Sequence, residues 1–78
     1  MREKLMDILM DIEEEIINYQ GNNLLEDGLL DSIQLLDLVE EIEDAFDIHI
    51  DADQMVRENF KTVDTILRLV QTISESRE

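Results

Sequence analysis

Ser32 is the residue whose type and setting could support chemistry. It stands in Asp27-Gly28-Leu29-Leu30-Asp31-Ser32-Ile33, where a glycine-containing turn gives way to an acidic amphipathic stretch. Its hydroxyl is a weak nucleophile until a base takes the proton. No base is near in sequence: the single histidine, His49, follows the far end of that stretch, and there is no cysteine. A hydroxyl without a base is a poor catalyst, but it is a suitable acceptor for a group that another enzyme attaches. Its competing role is structural, because a serine at the start of a helix also serves as an N-cap. The two roles are compatible.

A second pattern points at calcium. Asp47, His49, Asp51, Asp53 and Glu58 fall at the first, third, fifth, seventh and twelfth places of an EF-hand loop. Ala52 stands where the sharp turn needs Gly, and His49 is a poor ligand for a hard cation. Loose divalent binding to an acidic surface is expected instead, and no metal site is assigned. His49 reads as a partly exposed loop residue, the methionines as packing, and Glu13-Glu14-Glu15 as a solvated face. Tyr19 carries no signal.

These residues need a scaffold, and the composition bounds it. Seventy-eight residues make one small domain, 1–78, which buries only about 60–65% of its unfolded surface and has modest stability. Without cysteine there is no disulfide framework and no thiolate metal site. The apolar runs are two or three residues long, which excludes a membrane-spanning helix and a secretory signal; a soluble cytoplasmic protein is expected. The net charge is −15, from 21 acids and 6 bases, and residues 5–56 contain no Lys or Arg. Nucleic-acid binding is excluded, since neutralising phosphates requires a basic patch. Such a charge favours basic partners. Disorder does not fit, because 44% of the residues are apolar and they fall in helical register.

Four segments read as helical and none as a convincing strand. The first spans about residues 2–19, with Leu5, Ile8, Leu9, Ile12 and Ile16 as its stripe and Met6, Met10 and Ile17 flanking it. Gly21 and Asn22 are expected to end it through backbone angles that other residues resist. In the following loop, Leu24, Leu25, Leu29 and Leu30 should tuck against the bundle. The second helix runs from Ser32 to Phe46, capped by Asp31, with Gln34 completing a capping-box pattern. Leu35, Leu38, Val39, Ile42 and Phe46 make its core stripe. At roughly 100° per residue, Ile33 and Leu36 fall on the opposite side with Asp37, Glu40, Glu43 and Asp44. Two apolar residues beside the serine, rimmed by charge, suggest a docking surface. Asp47-Ile48-His49-Ile50-Asp51 alternates like a strand but has no second strand to pair with, so it reads as a connector. Residues 53–59 read as a short, weak helix and Phe60 as an anchor. Thr62 caps a last helix whose stripe is Val63, Ile66, Leu67, Val70 and Ile73; residues from Ser74 onward should fray.

With these residues in view, the chain resembles the phosphopantetheine-dependent acyl carrier protein family. The family modifies a serine in an Asp-Ser-hydrophobic motif after a Gly-containing loop, and here that motif is Gly28-Leu29-Leu30-Asp31-Ser32-Ile33. Leu38, Ile42-Glu43-Asp44-Ala45-Phe46, Ile50, Thr62-Val63 and Ile66 extend the likeness over roughly residues 5–73. The resemblance implies an all-α, four-helix bundle of acyl-carrier-protein type, with three main helices and one short one. It implies a monomer that catalyses nothing itself. A phosphopantetheinyl transferase, using coenzyme A and Mg²⁺, would attach 4'-phosphopantetheine covalently to Ser32, and the arm's thiol would hold acyl or aminoacyl groups as thioesters. A loading ligase and a downstream acyltransferase or synthase would be further partners, with no membrane insertion. Family precedent ties Asp31 to the transferase reaction, and capping is its other reading. Met55 is a candidate contact for arm or cargo. D-alanyl carrier proteins are similar in having a basic residue at the place of Arg57 and a Thr at that of Thr62. They favour Phe, Trp and Pro where this chain has Met55, Phe60 and Val63. The alternative of another class is an acidic adaptor or divalent-ion-binding helical protein without an arm.

Overall fold

A computed structural model describes residues 2–76. Its main elements are three helices, α1 (Arg2–Ile12), α2 (Ser32–Phe46) and α3 (Val63–Ser76), with short 3₁₀ turns in the connections and no strand among the described residues. The fold is all-α, as the apolar periodicity requires.

In α1, Leu5, Ile8 and Leu9 are buried, the i, i+3, i+4 spacing of one helical face. The expected continuation to Tyr19 does not occur. Glu13 is extended (φ −151, ψ 103) and the chain restarts as a 3₁₀ turn, Glu14–Asn18. Charge explains the break. An unbroken helix would stack Asp11 on Glu14 and Glu15 at i+3 and i+4, where like charges repel, and the last turn of α1 has no basic residue. After the break, Glu14 and Glu15 sit in the first turn of a new element, where the backbone dipole favours acids. The bend still sends Ile16 into the core but leaves Ile17 at 55% exposure.

The bundle closes from both ends of the chain. Lys4 Nζ donates to the Ala45 carbonyl at 2.6 Å and lies 5.3 Å from the Phe46 ring centroid, tying α1 to the last turn of α2. The Arg2 guanidinium pairs with Asp64 in α3. Helix α2 buries Leu38, Val39 and Ile42, with Leu35 and Phe46 half-buried. It ends where Asp47 takes the left-handed conformation (φ 53). Helix α3 starts with a reciprocal pair: Thr65 N donates to Thr62 Oγ1, and Thr62 N donates to Thr65 Oγ1, both at 3.1 Å. Its buried face is Ile66, Leu69, Val70 and Ile73. Leu69, outside the expected stripe, is thus buried more deeply than Val63 or Leu67. The helix continues through Ser74, which was expected to fray, to Ser76, whose hydroxyl donates to Thr72 O at 2.8 Å; Arg77 and Glu78 lie outside the described residues.

The connections are part of the core. Leu24, Leu30, Ile48, Ile50 and Phe60 are all buried loop or turn residues. Ile48 and Ile50 alternate with exposed Asp47, His49 and Asp51, and the Ile50 amide donates to Glu43 Oε2 at 2.8 Å instead of to a strand. The short helix expected over residues 53–59 is replaced by two 3₁₀ turns, Ala52–Gln54 and Arg57–Phe60, with Val56 extended between them. Asn59 Nδ2 donates to Gln54 O at 2.8 Å, occupying the acceptor that a continuing helix would use.

No polar or charged residue is buried among the described residues, so the net charge of −15 resides on the surface. The molecule measures 35 × 24 × 19 Å, only a few Debye lengths at ordinary ionic strength, where the length is ~8–10 Å. Self-repulsion therefore opposes folding. NaCl is expected to raise the melting temperature, and millimolar Mg²⁺ or Ca²⁺ to raise it further without a saturable tight site. Scanning calorimetry with isothermal titration tests both points; a stoichiometric micromolar site would contradict the diffuse picture.

Candidate functional site

The approach to Ser32 is built from the loop upward. Leu24 and Leu30 are its apolar anchors, at 0% and 2% exposure. The Leu24 amide donates to Lys61 O at 2.7 Å, and the Leu24 carbonyl accepts from Leu29 N and Leu30 N at 3.0 and 3.2 Å. Between the anchors, Gly28 has φ 80, a conformation that costs glycine little and other residues more. Gly21, expected to use such angles, does not. It is needed for space: a Cβ there would lie 2.5 Å from the Tyr19 hydroxyl and 2.6 Å from Asp27 Oδ2.

Asp31 caps α2. Its Oδ1 accepts from Gln34 N at 2.8 Å, and Gln34 Oε1 accepts from Asp31 N at 3.0 Å, completing the capping box. Ser32 is therefore the first helical residue and not the cap. Its side chain is exposed, and its hydroxyl makes no hydrogen bond among the described residues. The N–H groups of Ser32 and Ile33 are likewise unpaired, as helix geometry dictates for a first turn. An exposed hydroxyl beside free amides at the positive end of a helix suits a serine-linked phosphate. That is the group by which 4'-phosphopantetheine would be attached.

Beyond the serine, Ile33 and Leu36 are 72% and 61% exposed. Asp37, Glu40 and Asp44 are exposed along the same helix. Glu43 is different. Its carboxylate is 27% exposed; Oε2 accepts the Ile50 amide and lies 3.2 Å from His49 Nδ1. Glu43 thus braces the end of α2 against the following connector. His49, 80% exposed, reaches Asp51 Oδ1 through its other nitrogen at 3.4 Å. The EF-hand-like spacing is interrupted by the turn Ala52–Gln54. Among the described residues no three His, Cys, Asp or Glu side chains converge to hold a metal ion.

Tyr19 is the residue that sequence reasoning passed over. Its hydroxyl donates to Asp27 Oδ2 at 2.6 Å and accepts from Asn23 N at 2.6 Å. Partial burial, then the hydrogen bond to Asp27, hold its pKa above the ordinary tyrosine value. An aromatic at one helical turn from Asn23 gives no signal in sequence; only the folded loop brings Asp27 to it.

The division of labour at α2 is testable. Asp31→Ala is expected to cost about 1 kcal/mol through loss of the cap. Ser32→Ala is expected to stay within about 0.5 kcal/mol, as for a surface site without a structural bond. Denaturant titration of the two variants measures both.

Comparison with known proteins gives the family. The family described as phosphopantetheine attachment site matches residues 2–73. The chain is similar to the D-alanyl carrier protein of Lactococcus lactis subsp. cremoris, with 36% identity over 73 residues, covering 91% of this chain and 92% of that protein. The D-alanyl carrier protein of Enterococcus faecalis is 33% identical over 75 residues, covering 94% and 96%. That of Listeria monocytogenes serovar 1/2a is 30% identical over 74 residues, covering 92% and 95%. A family match across nearly the whole chain, with relatives at this identity and coverage, identifies the chain as a member of the phosphopantetheine-attachment family, a carrier protein whose cofactor is covalent 4'-phosphopantetheine.

Proposed function

We propose that Ser32 bears the arm and that the arm presents a D-alanyl group as a thioester. The observation that carries the first part is the capping arrangement: Asp31 performs the structural task that Ser32 could have performed, leaving an exposed hydroxyl with no partner among the described residues. In the transfer, Ser32 Oγ attacks the phosphorus of coenzyme A that bears pantetheine. The diphosphate P–O bond breaks, the adenosine bisphosphate leaves, and the serine proton passes to a base on the transferase. Gly28, Asp31 and Ile33 support the motif. The chain catalyses no step itself; it presents.

The cargo assignment rests on the relatives and on where this chain departs from their pattern. Phe60 is fully buried and Met55 half-buried against the core. Val63 is the first residue of α3, a position where Pro is favoured for reasons of backbone geometry alone. The departures thus fall on packing and helix-start positions, not on the exposed surface around Ser32. They do not argue against a D-alanyl cargo. We place the protein in the cytoplasm as a monomeric single domain; no helix of the described residues is long and apolar enough to cross a membrane. Its partners are a phosphopantetheinyl transferase, an adenylating ligase that loads the thiol, and an acyltransferase that unloads it. Basic patches on them would meet Ile33, Leu36, Asp37, Glu40 and Asp44, with Glu43 contributing from its bracing position.

Two measurements test this reading. Incubation with a broad-specificity transferase and coenzyme A should add one phosphopantetheine mass to the chain and none to Ser32→Ala. The loaded protein should then accept D-alanine from an adenylating ligase in preference to L-alanine or short fatty acids. A chain that several transferases leave unmodified contradicts the attachment site; preference for a fatty acid contradicts only the cargo. Reversing Asp37 and Glu40 to Lys should slow loading and flatten its salt dependence, since steering by charge is screened by salt. Rates indifferent to both would move the docking surface elsewhere.

A further inference from the structure

The loop that delivers the chain to Ser32 is fastened from outside itself at two places: the Leu24 amide donates to Lys61 O at 2.7 Å, and Tyr19 holds the two ends of the turn over residues 23–27. Within the loop, Asn23 Oδ1 accepts from Leu25 N and Glu26 N at 3.1 Å, and Asp27 N donates to Asn23 O at 3.0 Å. These bonds close a tight turn over residues 23–27 but tie it to nothing else. The Tyr19 phenol supplies a tie at both ends of the turn, accepting from Asn23 N and donating to Asp27 Oδ2, each at 2.6 Å. Gly28, with its φ of 80, follows directly, and Leu29 shares with Tyr19 a surface hollow of about 370 Å³. Gly21 leaves the space that the phenol and the Asp27 carboxylate occupy.

We propose that Tyr19 is a positioning residue for transfer of phosphopantetheine to Ser32, acting through the turn 23–27 to hold Gly28 and Leu29 in the conformation that the transferase grips. This rests on the reading of Ser32 as the attachment residue. The start of α2 is fixed independently by the Asp31–Gln34 capping box, and Leu30 by burial. Removing the phenol hydroxyl therefore leaves Ser32 on an intact helix and loosens the surface that precedes it. Tyr19 is only partly buried, so Phe would keep the ring's packing and remove the clasp alone. The raised Tyr19 pKa, with Asp27 and Glu26 as its charged neighbours, agrees with a neutral phenol donating to a carboxylate. The sign follows: the folded pKa lies above the unfolded one, so the clasp's contribution is complete below the ordinary value of about 10. It is lost as pH rises through the higher folded value.

A loop that is competent for only a fraction of the time raises the apparent KM by the inverse of that fraction. With a broad-specificity transferase, coenzyme A and the unmodified full chain, Tyr19→Phe is expected to raise KM for the carrier about fivefold, with kcat within about twofold. Asp27→Ala should raise KM in the same direction, Asp27→Asn should recover most of the loss through its carbonyl oxygen, and the double variant Tyr19→Phe/Asp27→Ala should be no worse than Tyr19→Phe. Val70→Ala, which opens the core in α3, should lower the melting temperature without changing KM. The chain has one tyrosine, so tyrosinate absorbance reports it directly: the wild-type titration should lie above that of Asp27→Ala. That comparison and the Asp27 variants decide the matter if Tyr19→Phe does not fold. An unchanged KM in Tyr19→Phe, a KM rise of equal size in Val70→Ala, or identical tyrosinate titrations would each overturn the proposal. Undiminished modification of Ser32→Ala would instead overturn the attachment site, so the two failures are distinguishable.

Discussion

The structure depends on leaving no carboxylate of the described residues buried while still filling a core. A chain with 21 acids among 78 residues has no spare polar interior, because a buried, unpaired carboxylate costs far more than the chain's modest stability. The core is accordingly built from apolar side chains alone. Three short helices cannot supply enough of them. The connections must contribute Leu24, Leu30, Ile48, Ile50 and Phe60, and so they become ordered. That order is what makes a loop able to present a serine in one orientation.

The same constraint shapes the helices. Repulsion among Asp11, Glu14 and Glu15 ends α1 early, and the resulting bend brings Tyr19 to the loop before Ser32. Two of the few cations tie the bundle together, Lys4 at the carbonyl end of α2 and Arg2 on Asp64, while Lys61 makes a local pair with Glu58 at 3.3 Å. On α2, Asp37, Glu40 and Asp44 have no cationic partner among the described residues, and they share the helix with the exposed Ile33 and Leu36. A surface of this kind destabilises the isolated protein and suits contact with the basic partners proposed above.

At the start of α2 the structural task falls to Asp31, which leaves Ser32 free for the proposed attachment. Asp31 satisfies the helix end, so the hydroxyl of Ser32, the proposed attachment residue, has no structural bond among the described residues. Free amides at the first turn of α2 meet the phosphate that modification would add. A carrier needs no catalytic base under this arrangement; it needs an exposed nucleophile in a fixed frame, and the partner brings the chemistry.

The residue pattern by itself determined the three main helices, the capping box at Asp31, the exposure of Ile33 and Leu36, and the Leu24 and Leu30 anchors. Each of these follows from local spacing: 3.6-residue periodicity, a side chain reaching its own backbone three residues on, or an apolar residue in a polar loop. The break at Glu13 follows from local charge spacing that the apolar stripe masks, whereas only the tertiary structure decided the 3₁₀ turns in place of a helix over residues 53–59, the bracing role of Glu43 and the clasp of Tyr19. These depend on distances between segments that sequence spacing does not encode. Glu43 meets Ile50 because α2 ends in a left-handed Asp47, and Tyr19 meets Asp27 because the loop folds back over Gly21. Local hydrogen bonds and periodicity are written along the chain, whereas a contact between segments exists only once packing has fixed where each one goes.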